Sequence, residues 1–200
     1  AVKNLHHEGL SSKTHLVGDV MYDGALFFAA KAEKESRILE TLKLAGKSYV
    51  LATTHRAENT DDPQRLKAIF EGLSIVAETL PVILPLHPRT KAALEREGIQ
   101  TSSKGLHLIE PVGYLDMVML EKNAKLIATD SGGVQKEAYF YRVPCVTLRD
   151  ETEWLELVES GWNQLTPPKN AETITSSILN RLTIKGSEVS FYGGGIASNK

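Results

Sequence analysis

The sequence predicts an α/β domain built on a doubly wound, Rossmann-like parallel sheet, and three features of its 200 residues point there. Short apolar runs rich in β-branched residues recur along the chain, and runs apolar on both faces suit buried parallel strands. Stretches with helical periodicity lie between them, so strand and helix alternate throughout. An apolar content of 42% over this length supports one well-buried domain and does not comfortably supply two full α/β domains.

Taken in order, the strand candidates are His15 to Gly18, Tyr49 to Thr53, Val82 to Leu86, Leu106 to Ile109, Lys125 to Thr129 and Val143 to Leu148. The clearest helix follows the second run. Asp62 can cap it, Pro63 fits its first turn, and Leu66, Ile69, Phe70, Leu73, Val76, Ala77 and Leu80 form one apolar stripe. Similar helices are expected at about Ser36 to Ala45, Thr90 to Glu97, Tyr114 to Lys122, Gly133 to Arg142, Glu151 to Ser160 and Ala171 to Leu182. No repeat, low-complexity tract or long linker interrupts the pattern. The tail from Phe191 to Lys200, with three glycines in a row, reads as a loop.

A formal net charge of −2 argues against broad electrostatic attraction to nucleic acid or to an anionic membrane, while leaving room for a small anionic ligand held by local donors. The single cysteine, Cys145, lies in an apolar run, so neither an internal disulfide nor a cysteine metal site can be built, and a buried structural thiol is expected. No apolar stretch approaches the roughly 20 residues that span a bilayer, and the N-terminal AVKNLHHEG has no signal-peptide pattern. A cytoplasmic protein is expected.

Ligands of open α/β sheets bind beyond the carboxyl ends of the strands, which singles out three segments. In THRAEN, Thr54 to Asn59, the imidazole of His55 beside Arg56 can donate to an anionic oxygen or move a proton near neutral pH; it can equally satisfy loop carbonyls. In TDSGGVQKE, Thr129 to Glu137, a strand turns into a helix at Ser131, Gly132 and Gly133. The glycines let backbone approach a ligand, and the N–H groups of the helix start face an anion such as a diphosphate. A tight structural turn would explain the glycines as well. Glu137, one helical turn after Gly133, can accept both hydroxyls of a ribose or simply be solvated. In EPVGYLDM, Glu110 to Met117, backbone groups and the flexible Met117 side chain can hold a base, or Met117 can be core.

The segments HRAEN (His55 to Asn59), LPLHPRT (Leu84 to Thr90), VGYLDM (Val112 to Met117), TDSGGVQKEA (Thr129 to Ala138) and LRDETEW (Leu148 to Trp154) resemble, in this order, the landmarks of non-hydrolysing UDP-N-acetylglucosamine 2-epimerases. The resemblance runs from HLVGDVMYDG to FYGGGIASNK and so covers nearly the whole chain. It implies a glycosyltransferase-B-type architecture of two Rossmann-like domains with the site between them. Residues 1–200 would form the second, UDP-binding domain. Within it, residues 1–20 would be an interdomain segment and first strand, and 185–200 a tail toward a further C-terminal helix.

Relatives of this kind interconvert UDP-GlcNAc and UDP-ManNAc. They eliminate UDP to a 2-acetamidoglucal and add it back with the opposite configuration at C2, without a metal or nicotinamide cofactor. Carried over by position, His55 is the active-site imidazole near the diphosphate, Ser131, Gly132 and Gly133 form the phosphate turn, Glu137 holds the ribose, and Val112 and Met117 contact uracil. Arg56 and His87 match an allosteric UDP-GlcNAc site of some bacterial relatives. The C2 acid/base carboxylates would come from the N-terminal domain, with loop or capping roles left to Glu58, Asp130 and Glu153. Trp154 stands where some relatives carry an arginine that contacts UDP, with Arg149 as partial compensation. The expected partners are the UDP-sugar, the N-terminal domain and, at full length, a second subunit of a homodimer. Another glycosyltransferase-B enzyme and a non-catalytic UDP-sugar-binding module are the alternatives.

Overall fold

The computed structural model describes residues 2–101, 103–184 and 186–200; residues 1 and 185, at the outer and inner ends of the two expected terminal segments, lie outside the described residues. Six parallel strands, β1 Val50–Thr53, β2 Val82–Pro85, β3 Leu106–Ile109, β4 Leu126–Thr129, β5 Cys145–Thr147 and β6 Asn163–Leu165, form a sheet in the order β3-β2-β1-β4-β5-β6. The helices are α1 Val2–His7, α2 Val20–Glu35, α3 Ile38–Thr41, α4 Ala57–Thr60, α5 Pro63–Val76, α6 Pro88–Glu97, α7 Tyr114–Asn123, α8 Gly132–Phe140, α9 Leu155–Glu159 and α10 Ala171–Arg181.

Alternation along β1 divides the core. Val50 and Ala52 face one side, where Leu66, Ile69, Phe70 and Leu73 of α5 pack with Ile174 and Ile178 of α10. Leu51 faces the other, against Leu120 of α7 and Ala138 of α8, with Cys145 in the same cluster. Burial pushes the Cys145 thiol up to about 12, so it stays protonated and inert, as a structural cysteine does. The central strands are fully buried, and their apolar runs made them visible in the sequence.

Two local expectations are corrected, and two elements were not expected. His15 to Gly18 is not a strand; it is an irregular segment that ends at Asp19, whose carboxylate accepts from the Met21 amide and starts α2. Helix α2 went unread because it buries only Ala25, Ala29 and Ala32 while Val20 and Phe27 on its outer side are two-thirds exposed, so it lacks amphipathic contrast. The helix expected from Ser36 to Ala45 shrinks to α3, because Lys43 enters the left-handed region at φ 54° and a helix cannot continue through it. Strand β6 is a short polar edge strand, Asn-Gln-Leu, with no apolar run to announce it.

Tail residues 192, 197 and 198 bond back onto the start of α2. The Asp19 amide donates to the Tyr192 carbonyl at 3.0 Å, and the Ala197 and Ser198 amides donate to Asp23 at 3.1 and 2.7 Å. Gly18, at φ +109°, is needed at this crossing because a Cβ there would stand 2.9 Å from the Tyr192 carbonyl oxygen. Tyr192 joins Tyr139, Phe140 and Trp162 in an aromatic cluster. The buried Lys136 ammonium pairs with Asp19, 4.4 Å from the Trp154 ring centroid and 5.1 Å from that of Tyr192.

Candidate functional site

Strand order reverses between β1 and β4, and a crevice opens at their carboxyl ends. His55 and Arg56 leave β1 there, and Asp130 to Gly133 leave β4. The two exits are tied together. Asp130, wholly buried, accepts from the His55 amide at 3.0 Å, the Arg56 amide at 3.0 Å and Asn59 Nδ2 at 3.1 Å. Asn59 Nδ2 also donates to the Leu148 carbonyl after β5, and Asn59 Oδ1 accepts from Arg65 Nε. The strand ends themselves are joined by the Thr53 and Thr129 hydroxyls, 2.6 Å apart.

Ser131 caps α8, its Oγ accepting from the Val134 amide at 3.4 Å. The Gly132 and Gly133 amides occupy the first turn and have no acceptor among the described residues, so two N–H groups and the positive end of the helix face the crevice. One turn on, Glu137 is half-buried and accepts from the Tyr114 hydroxyl at 3.3 Å. Burial raises the Glu137 carboxyl above the usual carboxylate range, and the Tyr114 hydrogen bond partly offsets this.

Beside this turn lies a cavity of about 200 Å³ whose lining includes Thr54, His55, Pro85, His87, Val112, Met117 and Val134. It gathers His55 from the β1 junction, His87 from the β2 junction and Val112 and Met117 from the β3 junction, with Val134 of α8 lining the side toward the glycine turn. Met117 lines the cavity while packing on the core beneath it. His87 has a structural duty as well: its Nδ1 accepts from the Arg89 amide at 3.1 Å and caps α6. The His55 and His87 rings lie 5.5 Å apart.

Arg56 extends beside the turn, with Glu58 and Glu153 each 3.8 Å from its guanidinium. Glu153 is held more firmly by Arg149, at 3.0 Å, and this bond keeps its carboxyl below the usual range. Arg149 is only 3% exposed and committed to Glu153, so it does not reach the crevice as a substitute for an arginine at position 154. Trp154 instead donates its indole N–H to the Gly132 carbonyl at 2.9 Å and braces the glycine turn from behind. Among the described residues no group of three or more His, Cys, Asp or Glu is arranged to hold a metal ion, and no helix is long and apolar enough to cross a membrane. The sequence alone carried no signal for the Tyr114–Glu137 and Asp130–Asn59 links.

Fold and crevice together define a Rossmann-like α/β domain, with two unclaimed helix-start amides at the switch point and an apolar slot beside them. The family model described as UDP-N-acetylglucosamine 2-epimerase matches residues 1–200, and the chain belongs to that family. It is 45% identical over its whole length to UDP-2,3-diacetamido-2,3-dideoxy-D-glucuronate 2-epimerase of Pseudomonas aeruginosa, covering 55% of that protein. It is 41% identical over 98% of its length to UDP-N-acetylglucosamine 2-epimerase of Methanocaldococcus jannaschii, again covering 55%. The crystal structure of the M. jannaschii enzyme in complex with UDP-GlcNAc and UDP superposes with a TM-score of 0.87 over 98% of this chain and 55% of that one. The chain spans about half the length of the curated relatives it matches.

Proposed function

We propose that this chain is the UDP-binding half of an enzyme that interconverts UDP-GlcNAc and UDP-ManNAc, with a preceding N-terminal domain of the same polypeptide completing the site. The observation that carries this reading is the convergence at one switch point of two unclaimed helix-start amides, Glu137 one turn on, and a slot lined by Val112 and Met117. The amides of Gly132 and Gly133, with Ser131, receive the diphosphate; Glu137 takes the ribose hydroxyls; Val112 and Met117 hold the uracil. When UDP leaves C2-deprotonated sugar, negative charge grows on its β-phosphate, and His55 stands where a fixed donor lowers that barrier. The base that removes the C2 proton belongs to the N-terminal domain. Arg56 and His87, on the same rim, are proposed contacts for a second UDP-GlcNAc. A cytoplasmic homodimer is the full-length form proposed from the family resemblance.

The relative that matches the whole chain at 45% identity acts, by its name, on a UDP-2,3-diacetamido-glucuronate. This favours a second reading, the same epimerisation on a substrate with a second acetamido group and a carboxylate on the sugar. Incubating the full-length protein with each nucleotide sugar and resolving the products distinguishes the two. The 200-residue chain alone is expected to bind UDP and to form no UDP-ManNAc, since complementarity to the transition state needs both sides of the cleft. Turnover by the isolated chain would overturn the division of labour proposed here.

A further inference from the structure

We propose that Asp130 is a positioning residue for His55: its buried carboxylate fixes the turn that carries the imidazole and holds the ring in the Nδ1–H tautomer, so that Nε2 is presented to the cleft. The inference rests on the reading of His55 given above, but its geometry stands independently. Asp130 is wholly buried, and a carboxylate so placed must be met by donors. It is met by the His55 and Arg56 amides and by Asn59 Nδ2. These bonds consume the His55 and Arg56 amides, so from the β1 exit an anion is met by side chains, the His55 imidazole first among them, and not by backbone donors of that turn.

The ring itself has a cue. His55 Nδ1 lies 3.5 Å from Asp130 Oδ1, longer than a formed hydrogen bond and of the loose kind that tightens when a ligand closes a site. A carboxylate can only accept, so the nitrogen that turns toward it is the protonated one. His87 supplies the contrast within the same cavity. Its Nδ1 accepts from the Arg89 amide, so in the neutral ring the proton sits on Nε2. Two imidazoles 5.5 Å apart are thus set to opposite tautomers by their partners.

The test is long-range ¹H–¹⁵N correlation of the histidine ring nitrogens of this chain at a pH where imidazoles are neutral, with His55→Asn assigning the signal. His55 should show a protonated Nδ1 and an unprotonated Nε2, and His87 the reverse. In Asp130→Asn the amide turns a donor toward the turn, and His55 should shift to the Nε2–H form while His87 is unmoved. An Nε2–H signature in the unaltered chain, or an unchanged tautomer in folded Asp130→Asn, overturns the inference. Should Asp130→Asn fail to fold, Asn59→Ala decides instead: it removes one bond of the brace but leaves the Asp130–His55 pair, so the Nδ1–H signature must persist, and its loss would assign the tautomer to the loop network. In the full-length enzyme, Asp130→Asn should lower kcat on the order of 10²-fold with KM nearly unchanged, as a misplaced catalytic group does. Failure of the unaltered chain to bind UDP would refute the functional reading while leaving the tautomer result interpretable.

Discussion

Two carboxyls on neighbouring helices behave differently because of what surrounds them. Glu137 has the Tyr114 hydroxyl at 3.3 Å, whereas Glu121, 1% exposed, has no hydrogen-bond partner on either oxygen among the described residues. Burial first, and the nearby Glu137 charge second, hold the Glu121 carboxyl well above the usual carboxylate range. The folded state therefore keeps a proton that the unfolded chain releases at about pH 4.3, and stability falls as pH rises toward the folded value. Glu121→Gln should flatten that decline, so that its melting temperature overtakes the parent's as pH is raised above about 5. Parallel melting curves would exclude Glu121 as the responsible group. Glu137 is raised too, and a protonated carboxyl loses an acceptor for the ribose, so UDP affinity should weaken as pH falls through its titration. Glu137→Ala should weaken UDP binding by about 1.5–3 kcal/mol with the fold intact. Calorimetric titration checks both, and an unaltered dissociation constant would return Glu137 to the helix surface.

Among the elements, the approach of β3 to the end of α5 leaves the least slack. The Gly105 carbonyl accepts from the Val82 amide, and a Cβ on Gly105 would stand 2.1 Å from the Ala77 carbonyl oxygen, a backbone atom that cannot rotate aside. Gly105→Ala should therefore cost about 1–3 kcal/mol, read as an earlier urea midpoint at constant slope. A midpoint that stays put would mean the end of α5 yields freely. Elements with a local signature were legible in the sequence: α5 through Asp62, Pro63 and its apolar stripe, α8 through Ser131 and the glycines, and the central strands through runs buried on both faces. Elements defined by distant contacts were not. Helix α2 is specified by three alanines and by Asp19 reaching Lys136, 117 residues away, and β6 by pairing with β5. The site divides in the same way. The strand-end rule located His55, Ser131, Gly132 and Gly133, while the ties that orient them join residues 23 to 75 positions apart, as in Tyr114–Glu137 and His55–Asp130.

At the scale of the whole molecule, each βα exit from the central strands contributes something to one end of the sheet, and the tail and its aromatic cluster pack beside it through Trp154 and Lys136. The net charge of −2 places no broad attraction on this arrangement, so an anion is met by the local donors of a single turn. That turn is connected through Trp154 to the rest of the body: the indole donates to the Gly132 carbonyl on one side and lies against the Lys136 ammonium, paired with Asp19, on the other. The connection makes the protein its own optical reporter. It has two tryptophans, and Trp162 is 5% exposed in the aromatic cluster. Trp162→Phe leaves a single indole whose emission depends on a hydrogen bond to the turn proposed to receive the diphosphate. Adding UDP should shift that emission and saturate at the dissociation constant found by calorimetry, whereas a silent spectrum would mean that the turn is met by no ligand or does not change when it is. A fluorimeter and one substitution thus suffice to watch the cleft fill, with no label attached to the protein or to the nucleotide.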